Sequence, residues 1–160
     1  MVKERYKKQI IEAIENSYNL EALKNKFETL SKELSKFKES LDSKKDLSGE
    51  DTNLWSIMRD SRIRRFQYSA EFFWKVSKTY LRKLHCIDEY SPVLVMKGLF
   101  KTRIVSEIET EKLLEIMRQR INVSHMYHED LAENLDDDLE EYYKLIQDVS
   151  ERLKQKIDSQ

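Results

Sequence analysis

Two glycines and a single proline are all that interrupt this chain of 160 residues. Turn-dense sandwiches and barrels draw heavily on both residue types, so they are excluded, as are a collagen-like chain and a Pro/Gly-rich linker. What such a chain does readily is run in long helices. The apolar spacing agrees: Leu20, Leu23, Phe27, Leu30, Leu34, Phe37 and Leu41 alternate steps of three and four, a sustained coiled-coil-like seam. Nothing alternates with period two over a useful length, so no sheet is expected.

Six helical segments follow from the pattern. Residues 3–19 read as one helix, with Tyr6, Ile10 and Ile14 on a stripe, and residues 20–41 as a second. Residues 42–53, rich in Ser, Asp and Lys and holding Gly49, read as a loop. A long helix spans about 51–84, capped by Asp51 or Thr52 and striped by Ile63, Phe66, Ala70, Phe73, Ser77, Tyr80 and Leu84. Trp55, Phe72 and Trp74 lie off that stripe, which suits a central bundle member. After a break at His85–Tyr90, Ser91-Pro92 starts a short helix to about Thr102. Thr110 is expected to cap the next helix, which carries Leu113, Ile116, Met117 and Ile121 and bends near His125–His128. The last helix covers about 129–157. The expected fold is all-α: an up-and-down helical bundle over residues 21–160 with an extra N-terminal extension helix over 1–20.

One cysteine, Cys86, excludes an internal disulfide framework and a four-cysteine zinc site. Charge begins at Lys3 and no long apolar run occurs, so a signal peptide, a transmembrane helix and any membrane partner are not expected, and the location expected is cytoplasmic. The net charge of -1 hides an asymmetry: residues 51–104 carry net +6 and residues 105–160 net -8. A basic middle suits phosphates and an acidic end repels them. The simpler reading is that these helix faces pair with each other inside one bundle.

One polar constellation is dense enough to carry chemistry: Arg118-Gln119-Arg120-Ile121-Asn122-Val123-Ser124-His125-Met126-Tyr127-His128. On a helix, Arg118, Asn122 and His125 share a face, and Arg120, Ser124 and Tyr127 share an adjacent one. That set fits RNA cleavage without metal. Histidine titrates near neutrality and serves as base to the 2′-hydroxyl or acid to the leaving oxygen. Arginine keeps its charge and offers a planar fork to the phosphate. One histidine cannot easily serve both sides of one phosphorus, so the mechanism requires a symmetric homodimer with two His125 side chains at one cleft. A metal site built on His125, His128, Glu129 and Asp130 matches no complete zinc spacing, so no metal and no cofactor are expected. The segment also reads simply as a helix end whose cations complement the dipole. His85 and Cys86 read as a helix end. The run Asp136-Asp137-Asp138, with Glu140 and Glu141, reads as a solvated face. Gly49 and Gly98 are isolated, so a Gly-rich phosphate loop is excluded.

The string Arg59-Asp60-Ser61-Arg62-Ile63-Arg64-Arg65-Phe66-Gln67-Tyr68-Ser69-Ala70-Glu71-Phe72-Phe73-Trp74-Lys75 resembles the signature helix of the nucleotidyltransferase substrate-binding family, within the HEPN superfamily, and is similar to HepT toxins. The resemblance continues through Tyr80-Leu81 and Ser91-Pro92, and ends with Arg120 through Tyr127, the pattern of Arg, four residues, His, one residue, Tyr. It implies a dimeric helical bundle that partners a minimal nucleotidyltransferase encoded nearby. In toxin members it implies a metal-independent endoribonuclease acting on RNA, with Arg120 and His125 as catalytic pair and Tyr127 adenylylated by the antitoxin-like partner. Arg118 and Asn122 are further candidate catalytic residues. The chain departs from the pattern at Ile121, often polar in ribonuclease members, which leaves Arg118 as an alternative cation. It departs also at Arg103-Ile104-Val105, where the family often has Gly-Leu-Ile. The alternative function is a non-catalytic subunit that presents substrate to the nucleotidyltransferase. A third reading is a scaffold that self-associates through the Leu20–Leu41 seam.

Overall fold

The computed structural model describes residues 2–46, 52–125 and 129–160; the side chains of 16–19, 45, 46, 52 and 125 lie outside what it describes. Five α-helices fill it: α1 (Val2–Asp46), α2 (Thr52–His85), α3 (Pro92–Lys101), α4 (Glu107–Asn122) and α5 (Glu129–Asp158). A single 3-10 turn, Val123–His125, extends α4. Among the described residues there is no strand, and no helix is long and apolar enough to cross a membrane.

Cross-helix contacts fix the directions. Phe37 meets Phe66 and Lys26 meets Thr79, so α1 and α2 run antiparallel. Arg62 meets Asp136 and Phe66 meets Tyr142, so α2 and α5 run parallel. Glu71 meets Arg120 and Gln67 meets Ser124, so α4 runs back along α2. The result is an up-and-down bundle of α1, α2, α4 and α5, with α3 as a short piece of the α2–α4 connection. The expected seam is the core: Leu23, Phe27, Leu30, Leu34, Phe37 and Leu41 are buried against Ile63, Phe66, Ala70, Phe73 and Tyr80 of α2 and Leu139, Tyr142, Ile146 and Leu153 of α5. Burial at that seam leaves no surface there for scaffold assembly.

Several expectations are corrected. The two N-terminal helices are one, continuous from Val2 to Asp46. No proline interrupts residues 16–20, and the seam alone sets no boundary. The loop expected over residues 42–53 is corrected at both ends, since α1 runs to Asp46 and α2 begins at Thr52; residues 47–51 lie outside the described residues. Helix α4 is capped by Ser106, not Thr110. The Ser106 hydroxyl accepts from the Glu109 N–H, and the Glu109 carboxylate accepts from the Ser106 N–H, a reciprocal capping box. Thr110 sits inside the helix, its hydroxyl donating to the Ser106 carbonyl at 2.7 Å. Ser91 caps α3 as expected, with Pro92 in the first turn.

Two helices end on non-glycine residues with positive φ: Cys86 (φ 55) after α2 and Arg103 (φ 61) after α3. At the latter, the Arg103 N–H donates to the Phe100 carbonyl and the Ile104 N–H to the Leu99 carbonyl, the paired bonds of a Schellman motif. Arg103 thus stands in a left-handed position that glycine occupies at lower cost. Gly98 is used for close approach instead: a Cβ there would lie 2.7 Å from a Leu81 methyl.

Candidate functional site at the junction of α4 and α5

The charged halves of the chain meet across the bundle, as the simpler reading of the charge asymmetry required. Arg62 of α2 and Asp136 of α5 form a bidentate pair, both bonds 2.7 Å, with both side chains excluded from solvent. Lys44 of α1 adds a contact of 3.2 Å to the same carboxylate. One turn earlier, Arg59 pairs with Glu129, the first residue of α5, and lies over the Trp55 ring. Asp136 therefore does not belong to a solvated face, as the acidic run suggested; Asp137, Asp138 and Glu141 do. At the far end, Arg152 clamps Glu109 with bonds of 2.6 and 2.9 Å. That hydrogen bonding, with the Ser106 N–H, outweighs partial burial and holds the Glu109 carboxyl down at about 2.

The motif-bearing segment lies where α4 closes against the first half of α2. Asp60, Ile63, Arg64 and Gln67 of α2, Val123 and Ser124 of the 3-10 turn, and Ala132 of α5 line an open cleft of about 440 Å³. The Gln67 amide donates to the Ser124 hydroxyl at 3.4 Å across it. One turn along α2, the Arg120 guanidinium pairs with Glu71 and stacks over the Trp74 ring, 5.7 Å from its centroid. Its side chain is 12% exposed, against 37% for Glu71. The Arg120 Nε is buried without a partner among the described residues. Burial pushes the Glu71 carboxyl up, but the hydrogen bond from Lys75 and the Arg120 charge bring it below its ordinary value.

The expected site residues therefore divide. Arg120, one turn before the cleft residues Val123 and Ser124, is engaged by Glu71. Arg118 is exposed on α4, and its charge reaches Glu115. Asn122, the last residue of α4, is exposed and its amide donates to Gln119 at 3.5 Å. His125 ends the 3-10 turn, next to Ser124 on the cleft wall, with its side chain outside the description. Met126, Tyr127 and His128 lie outside the described residues, and with them the expected modification site and the two-histidine metal alternative. Among the described residues no group of three or more His, Cys, Asp or Glu side chains is placed to hold a metal. His85 closes α2, its Nε2 3.2 Å from the Tyr80 hydroxyl, and Cys86 is exposed. Sequence reasoning missed Gln67 as a cleft residue and Glu71 as the partner of Arg120. Both sit in the signature string, on the α2 face toward α4, and only the packing of α4 reveals them.

A helical bundle with an open cleft between α2, the turn after α4 and α5 defines a class, and comparison with known proteins gives the family. The model of nucleotidyltransferase substrate binding protein-like sequences matches residues 25–155, and the chain belongs to that family. A crystal structure of a protein from Thermus thermophilus is similar, with 28% sequence identity and a TM-score of 0.68, covering 78% of this chain and 98% of that one. No protein of curated function matches.

Proposed function

We propose that this chain is a HepT-like HEPN subunit that works in the cytoplasm beside a minimal nucleotidyltransferase, and that the α4–α5 junction is a metal-independent endoribonuclease site completed by a second copy. The reading is supported by the turn that bears His125, whose Val123 and Ser124 wall an open cleft between α2 and α5, and by Arg120 one turn earlier on α4. A ribose 2′-hydroxyl attacks its own phosphorus. One His125 takes the hydroxyl proton, the P–O5′ bond breaks, and the second copy's His125 protonates the leaving oxygen. The products are a 2′,3′-cyclic phosphate and a 5′-hydroxyl. A guanidinium steadies the added negative charge on the phosphoryl oxygens. For Arg120 to do so, the phosphate must take the place of the Glu71 carboxylate. Both anions fit the same planar fork of donors. Arg118 is the alternative cation, exposed two residues earlier on α4. An adenylyl group on Tyr127 adds negative charge beside the motif, which repels a phosphate.

The Arg120–Glu71 pair also favours a second reading, a non-catalytic subunit that presents substrate to the nucleotidyltransferase. Incubation of purified protein with RNA in chelator separates the two. Cleavage lost in His125→Ala supports the nuclease; equal inactivity of both proteins supports the presenting subunit. Glu71→Gln then identifies the cation: freeing Arg120 raises cleavage severalfold if Arg120 is the working arginine and leaves it unchanged if Arg118 is. Co-purification with the neighbouring gene product tests the partner, and loss of label from ATP in Tyr127→Phe tests the modified residue.

A further inference from the structure

The first third of α1 has no place in the bundle. Every described side chain from Val2 to Glu15 is exposed, including Tyr6 at 62%, Ile10 at 56% and Ile14 at 61%. These three lie at i, i+4 and i+8 and form one stripe. At 100° per residue, that stripe points about 140° away from the Leu23–Leu41 seam, so the face that enters the bundle is not the face that is apolar here. The opposite side carries Arg5, Lys8, Glu12 and Glu15. The stretch is thus amphipathic in its own right, with an apolar face that nothing among the described residues covers. The family match begins only at residue 25, so the arm lies outside it. The molecule's accessible surface is 10602 Å². A compact folded monomer of this mass exposes roughly 8,500 Å².

We infer that the covering partner is a second copy of the same arm, laid antiparallel and centred on Ile10. The stripe is its own mirror: reversed about Ile10, Ile10 meets Ile10 and Tyr6 meets Ile14. Charge selects the direction. Residues 2–8 carry net +3 and residues 9–15 net -2, so antiparallel pairing sets the basic half of one arm beside the acidic half of the other. Parallel pairing would stack like on like within a screening length. Antiparallel helix dipoles add to the same preference. The contact stands independently of the chemistry proposed at Arg120.

Cysteine cross-linking in the full chain tests it, in a Cys86→Ser background so that the native thiol does not interfere. A disulfide needs Cβ atoms about 3.5–4.5 Å apart. With Ile10→Cys, oxidation is expected to yield a covalent dimer at least about tenfold faster than Tyr6→Cys alone, because pairing raises the local thiol concentration. Tyr6→Cys mixed with Ile14→Cys is expected to cross-link as Ile10→Cys does. Ile10→Lys with Ile14→Lys is expected to lower the mass seen by light scattering while leaving the melting temperature unchanged. Equal cross-linking at Tyr6→Cys alone overturns the antiparallel arrangement. Cross-linking at Ile10→Cys no faster than that of the unaltered chain, whose exposed Cys86 lies outside the arm, overturns the pairing altogether. So does arm-dependent binding to anionic phosphatidylserine vesicles by a protein that stays monomeric, since the stripe's occupant is then lipid.

Discussion

Arg62 and Arg120 are both arginines of the bundle wall, and both face a carboxylate on another helix. Arg62 meets Asp136 with the two side chains almost wholly out of water, and Lys44 brings α1 to the same carboxylate. Arg120 meets Glu71 nearer the surface, where the carboxylate keeps 37% of its surface in solvent. Both arrangements are ion pairs, but they differ in how far each is shut off from water. An anion arriving at Arg120 competes with a partner that water readily takes back. An anion arriving at Arg62 would have to enter the core. The difference separates a pair that holds three helices in register from a pair whose carboxylate stays in contact with water.

The largest expected effect lies at the buried pair. Asp136→Ala strands the Arg62 charge in the core and should cost about 3–5 kcal/mol, read as a lower urea midpoint, and Arg62→Ala, which leaves Lys44 on the Asp136 carboxylate, should cost less. Replacing both with apolar residues of similar volume should recover most of that loss. If the single substitutions cost less than Arg120→Ala, the contrast between the two pairs is wrong. Next comes the Arg152–Glu109 clamp, whose side chains are 40% and 24% exposed. Its carboxyl is held at about 2, below the ordinary 4.5, so its contribution is complete above the ordinary value and is lost as pH falls through 2. A pH series of urea melts should show about 1–2 kcal/mol draining away over that interval, and Glu109→Gln should flatten that part of the curve. Arg120→Ala should cost about 1 kcal/mol or less in stability, because Glu71 returns to water and the unpartnered Nε is removed with it. The smallest effect concerns an arginine held by backbone rather than by a partner. Arg103→Gly should raise stability by about 0.5–1 kcal/mol, seen as a higher melting temperature, since glycine tolerates the left-handed position.

Much of this molecule was legible in the chain. Burial of the Leu23–Leu41 residues and of the Ile63–Tyr80 stripe follows from spacing alone, because a helix repeats its faces whatever lies opposite. Ser91-Pro92 was legible for a similar reason, since capping is local. Thr110 misled because Ser106 and Glu109 satisfy each other more completely four residues earlier. Asp136 misled because its two acidic neighbours are exposed, and nothing in a run of three aspartates says which will meet an arginine 74 residues away. The same limit applies to Glu71. The signature string contains it, but only the antiparallel return of α4 sets it against Arg120.

The continuity of α1 has a hydrodynamic consequence. Its 45 residues make a rod of about 67 Å. A compact chain of 160 residues has a radius of gyration near about 15 Å. The particle should therefore tumble slowly for its mass and elute early on gel filtration, as a larger sphere would. Its Stokes radius reports the overhanging helix as much as any association, and sedimentation velocity should return a frictional ratio above that of a globular standard.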